Sequence, residues 1–157
     1  MNVGSWLLWA FVATIVLTTI MAASQSLHVT RMNIPFMLGT VVTPHRERAK
    51  LAGFLIHLVN GFLFALLYIA AFRAWGGATW WRGAAVGLVH AAFVLTAGMQ
   101  LLPSIHPRMA SESSGPTVTR LLEPPGFLAL HYGTRTPLSV VVAHVVFGAI
   151  LGSFCHA

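Results

Sequence analysis

Charge is what this chain has least of. Asp, Glu, Lys and Arg make up 8% of its 157 residues, where a soluble globular protein carries about 25%. So few charges cannot cover a surface exposed to water, and a soluble domain is excluded. Acidic residues are the scarcest. Glu47, Glu112 and Glu123 are the only three, which leaves little scope for a carboxylate-bridged metal centre. The single cysteine, Cys155, excludes an internal disulfide and a cysteine-based zinc site. No nucleophile–base set and no phosphate-cradling glycine loop is present, which argues against a hydrolase or a nucleotide enzyme. The net charge of +6 comes from nine Lys and Arg. They stand at the ends of apolar runs, where they meet lipid headgroups, so the excess does not point to nucleic acid.

What is abundant is apolar sequence. The hydrophobic fraction is 57% and the mean hydropathy +0.79. Four runs reach the roughly 20 residues of helix that a bilayer requires, at about 3–23, 51–72, 83–102 and 137–154. The expected fold is all-α, an integral membrane four-helix bundle forming one membrane domain. The first run lacks the basic region that precedes a secretory signal and is read as a retained span. Trp75, Trp80 and Trp81 cluster between the second and third runs, as in an interfacial aromatic belt.

Between the spans the chain is turn-rich. In 24–43, Pro35 and Gly39 forbid a long regular helix, and the apolar residues suit a stretch at the membrane surface. Thr43-Pro44 and Thr136-Pro137 both read as helix starts, with Thr as N-cap and Pro at the first helical position. The loop 103–135 keeps Leu121, Leu122, Phe127, Leu128, Leu130 and Tyr132 as candidate anchors for a lid. Arg31, Arg46, Arg48, Lys50, Arg108, Arg120 and Arg135 follow spans one and three, whereas only Arg73 and Arg82 lie between spans two and three. The positive-inside rule therefore expects loops 24–50 and 103–136 in the cytoplasm and both termini outside, in a bacterial inner membrane.

An internal duplication is visible. Adding 78 to a position carries Val16-Leu17-Thr18 onto Val94-Leu95-Thr96, Met21 onto Met99 and His28 onto His106, and Arg31-Met32 meets Arg108-Met109 after a one-residue gap. His57 and Gly61 meet His144 and Gly148 at an offset of 87. Pseudo-repeats at about 1–72 and 80–157 would each hold two spans, which makes them parallel repeats with sites expected at their interface.

The candidate site follows from that symmetry. His57-x-x-x-Gly61 and His144-x-x-x-Gly148 each place a histidine and a glycine on one helix face, inside lipid-spanning segments where an ionisable ring calls for a reason. Bis-histidine ligation of haem b is the most specific expectation, with Gly61 and Gly148 giving the macrocycle room and Arg31 and Arg108 pairing with its propionates. A bare copper, iron or zinc ion is the other form, held by His28, His57, His106 and His144, with Met32 and Met109 favouring copper where they turn inward. His90 has no histidine partner in the first half. A contrasting expectation is an accessory subunit of a larger membrane complex, or a small transporter acting as a homo-oligomer. In that case the small-residue stripes, such as Gly83, Gly87 and Ala91, are helix interfaces and no cofactor is bound.

Overall fold

The computed structural model describes residues 2–155. Its helices are α1 (Val3–Ser26), α2 (Ile34–Val42), α3 (Arg46–Ala74), α4 (Trp80–Phe93), α5 (Met99–Ile105) and α6 (Thr136–Phe154). A π-helical segment, Val94–Gly98, joins α4 to α5, so the two form one rod over Trp80–Ile105. Four helices, α1, α3, the α4–α5 rod and α6, are long and apolar enough to cross a membrane, as the four apolar runs anticipate. Each of the first three is longer than its run. Helix α3 has 29 residues, about 43 Å at 1.5 Å per residue, against about 30 Å of hydrocarbon. Hydropathy marks only the part of a helix facing lipid tails, and the charged turn Arg46–Lys50 continues the helix beyond it.

Three local expectations are corrected. Pro35 starts a helix instead of only barring one: it lies in the first turn of α2, where Asn33 caps the end by accepting from Phe36 N–H at 2.9 Å, and a missing N–H costs nothing there. The two Thr-Pro pairs are not N-caps. His45 and Arg135 occupy the cap positions of α3 and α6. The Thr43 hydroxyl accepts from His45 N–H at 3.3 Å, and the Thr136 hydroxyl is buried against that of Thr30 at 2.7 Å. Finally, the third span does not stop at Leu102. It runs on through Pro103 to Ile105 and ends at His106, whose backbone is extended.

The bundle is held by close backbone approach. In a bilayer the hydrocarbon offers no hydrophobic drive between helices, so small residues that let backbones touch carry the association. A Cβ added at Gly83 would lie 2.0 Å from Gly148 O, at Gly87 2.2 Å from His144 O, and at Gly152 2.2 Å from Thr79 O. These contacts lock α4 along α6. A Cβ at Gly61 would lie 2.0 Å from Thr14 Oγ1, joining α3 to α1. At Gly39 it would lie 1.6 Å from Ala49 O, and at Gly53 1.5 Å from Pro35 O, which seats α2 on the opening turns of α3. Gly53, Gly61, Gly83, Gly87, Gly148 and Gly152 thus pack within one chain. Trp75, Trp80 and Trp81 stay exposed, as belt residues do.

Replacing Gly148 by Leu should lower stability in detergent by about 1–3 kcal/mol, the usual cost of overpacking, or prevent folding. Gly98→Ala meets nothing closer than Phe93 O at 3.7 Å and should leave the thermal midpoint unchanged or raised. Equal midpoints for Gly148→Leu and the native chain would remove the α4–α6 contact as a determinant of the bundle.

Candidate functional site

Histidines from three helices face one cavity inside the bundle. His57 on α3, His90 on α4 and His144 on α6 line a space of about 240 Å³. Four of the five methionines among the described residues line it too, Met21, Met32, Met37 and Met99. The rest of the wall is largely aliphatic and aromatic, with Asn60 and Thr14 as further polar groups. The π-helical segment forms part of the wall through Val94 and Gly98. An inserted π turn displaces the helix face that follows it, which is why such turns recur beside functional sites.

Each ring is oriented differently. His144 donates Nδ1–H to Val140 O, one turn back, at 2.8 Å. That bond leaves the lone pair on Nε2. The Gly87 contact with His144 O brings α4 against this turn, so His90 meets His144 edge to face, with ring centroids 4.6 Å apart at 82°. The other side of His90 stacks on Phe64 at 4.0 Å, and its Nδ1 hydrogen-bonds the buried Tyr68 hydroxyl at 3.2 Å. His57 lines the same cavity from α3. Its Nε2 is buried and has no hydrogen-bond partner among the described residues. An unpartnered polar atom in an apolar interior costs about 1–3 kcal/mol, and a bound water or ion is the usual explanation.

The structure gathers some of the expected residues and separates others. His57 and His144 share the cavity, and His90 joins them. The four-nitrogen set of His28, His57, His106 and His144 is not assembled. His28 is exposed, on left-handed backbone (φ 57°) just after α1. His106 is fully buried elsewhere, with Nε2 3.0 Å from Met37 O and Nδ1 accepting from Arg108 N–H at 3.1 Å. Both of its nitrogens are engaged, so no lone pair is free for a metal. Met32 lines the cavity, but Met109 is buried within the long loop, bridged to Leu122. Among the described residues no three His, Cys, Asp or Glu side chains are disposed to hold a metal ion by themselves.

Gly61 and Gly148 leave no room for a macrocycle, because Thr14 fills the space over the first and Gly83 and Tyr68 that over the second. The arginines are engaged in the protein. Arg31 binds the Glu123 carboxylate through both Nη atoms, at 3.0 and 3.1 Å, and donates to His131 O. Arg108 donates Nη1–H to Thr40 O and Val41 O at the C-terminus of α2, where a cation offsets the helix dipole.

These contacts tie the long loop across the cavity's end of the bundle. Arg31 N–H donates to Tyr132 O at 2.7 Å, and the Tyr132 hydroxyl donates to Glu123 O. Burial, with the Glu123 carboxylate adding to it, pushes the Tyr132 hydroxyl up from its ordinary range, so it stays a donor at physiological pH. Of the expected anchors Tyr132 is buried and Leu122 and Leu128 pack on the core, while Leu121, Phe127 and Leu130 are exposed.

The offset of 78 matches Met21 with Met99, but Tyr68 and His90 have no counterpart at either offset. Their signal was placement on the same small-residue stripes as Gly61 and Gly87. The chain matches no protein-family model, and neither the curated proteins nor the solved structures contain a match to it.

The Arg31–Glu123 pair is exposed at both partners, so Glu123→Gln should cost no more than about 1 kcal/mol of global stability. Its effect should be local: hydrogen exchange of the backbone N–H groups of Arg31 and Leu122 should accelerate while α3 and α6 stay protected. Unchanged exchange at both positions would show that the pair does not hold the loop.

Proposed function

We propose that this chain is an integral membrane protein whose intramembrane cavity binds a soft transition-metal ion, copper(I) foremost, for redox or transfer chemistry. The observation that carries this reading is the buried, unpartnered Nε2 of His57 at a cavity lined by two more imidazoles and four thioethers. Imidazole suits copper, zinc and iron alike, and thioether is a ligand that selects copper(I) among them. His57 and His144 are the proposed nitrogen donors: His57 Nε2 is buried without a partner among the described residues, and the Nδ1–H bond of His144 to Val140 O leaves its Nε2 lone pair for a metal. One or more of Met21, Met32, Met37 and Met99 would complete the set. His90 acts as a positioning residue, wedged between Phe64 and His144 and held by Tyr68.

Bis-histidine haem b fits the same residues less well. The cavity is about 240 Å³, below the roughly 300–1,000 Å³ of pockets for drug-sized ligands, and both glycines expected beside the macrocycle are covered.

The two-repeat architecture belongs to the same proposal. Arg31 and Arg108, matched in the duplication, each reach across to the other half: Arg31 to Glu123 and His131, Arg108 to Thr40 and Val41. Reciprocal contacts of this kind are what two parallel repeats about a common axis produce. The loops carrying these arginines face the cytoplasm in this reading, with both termini outside.

Purified chain loaded anaerobically with copper(I) should retain about one ion per chain by elemental analysis and show no Soret band. His57→Ala and His144→Ala should each weaken binding at least about tenfold, the ratio that 1.4 kcal/mol of lost ligation produces. Met32→Leu, nearly isosteric, should weaken copper(I) with little change in thermal midpoint. Acidification should release the ion, because protons compete for the same nitrogen lone pairs. A folded chain that takes up neither copper(I), iron(II) nor zinc(II), or that takes up haem instead, would overturn the proposal.

A further inference from the structure

A second recess, separate from the histidine cavity, opens between α2 and the long loop. It measures about 620 Å³, and its lining includes Phe36, Thr40, Arg108, Val118, Leu121 and Leu122. Among the described residues no acidic side chain lines it. Arg108 is its one charged group, and among the described residues its side-chain hydrogen bonds run only through Nη1, to Thr40 O and Val41 O. Nε and Nη2 of that guanidinium remain as donors, in the planar fork that suits a phosphate. Around this charge the walls are apolar and partly exposed. Val118 is 94% exposed and Leu121 74% exposed, in a loop with no other reason to present them.

The position of the recess bears on its occupant. Helix α2 packs on the opening turns of α3, the turns that carry Arg46, Arg48 and Lys50 just beyond the lipid-spanning part. This end of the bundle holds seven of the nine basic residues and all three acidic ones, so it is net positive at headgroup level. A positive rim over an apolar trough matches a molecule with an anionic head and an aliphatic tail.

We propose that this recess is a binding site for one anionic glycerophospholipid of the surrounding leaflet. Its phosphate lies on the Arg108 guanidinium, and an acyl chain runs against Phe36, Val118, Leu121 and Leu122. The site is independent of whether the histidine cavity holds a metal. It also explains why an arginine that already caps α2 is paired with no carboxylate, while Arg31 is.

The test uses full-length delipidated protein in detergent, titrated by native mass spectrometry with dioctanoyl phosphatidylglycerol, dioctanoyl phosphatidylcholine and inorganic phosphate. Expected are one saturable phosphatidylglycerol site, at least about tenfold tighter than phosphatidylcholine, and no competition from millimolar phosphate. Arg108→Gln and Leu121→Glu should each weaken phosphatidylglycerol about tenfold, whereas Phe127→Glu, exposed but outside the recess, should not. Leu121→Glu serves as the main variant, because Arg108→Gln also removes the α2 cap. Equal affinity for both lipids, displacement by phosphate alone, or unchanged binding by Leu121→Glu would each overturn the assignment.

Discussion

Gly83 and Gly87 lie against the backbone of α6 so closely that a single added carbon at either would overlap a carbonyl group. This contact, answered from the other side by Gly148 and Gly152, is the constraint on which the remaining structure depends. Helices in lipid gain nothing by hiding apolar surface from one another, so their association rests on contact area at short range. Glycine supplies it by removing every side-chain atom from the seam. The same approach determines the chemistry available inside. Gly87 touches the carbonyl of His144 itself, and His90 is three residues further along α4, on the same face. The rings of His90 and His144 are therefore neighbours because the backbones of α4 and α6 are.

The cavity beside this pair is a consequence of where packing fails to close. Helix α1 approaches α3 at Thr14 and Gly61, α4 is bound to α6, and the π-helical segment shifts α5 relative to α4. Between these fixed seams a space of about 240 Å³ is left, and methionines and histidines fill its wall. Methionine is flexible and often fills irregular gaps, which alone would account for a few thioethers here. It does not account for an imidazole nitrogen buried without a partner at the same place.

Above the cavity, the loops form a second layer held by polar contacts. His106 uses both ring nitrogens to join the end of α5 to α2 and to its own chain, Thr30 meets Thr136, and the Arg31–Glu123–Tyr132 group fastens the long loop. Of these, the Arg31–Glu123 pair is exposed and contributes little to global stability, whereas the His106 and Thr30–Thr136 hydrogen bonds are buried. Their effect is to hold the ends of four helices in register, and with them the depths at which His57 and His144 enter the interior.

The four helices were legible in the linear chain because hydropathy sums over some 20 residues and requires no knowledge of neighbours. That His57 and His144 share a cavity was legible because both stand in the same His-x-x-x-Gly pattern within an apolar run. What the pattern could not convey is environment. His28 and His106 occupy matching positions, yet one is exposed and the other fully buried. Only the first half contains α2, and α2 is what covers His106. His90, Tyr68 and most of the cavity methionines were illegible as a group, since nothing in their spacing says that α4 adjoins α6 or that α1 and α2 close the other wall. Glycine positions showed that close contacts would form, but each seam has two faces, and the partner is specified only when all helices are placed together. The sequence alone thus determined four long apolar helices, the end that carries most of the basic residues, and two histidines that share a cavity. Tertiary structure decided which side chains share a cavity and which arginines remain free, because those depend on distances between helices far apart in the chain.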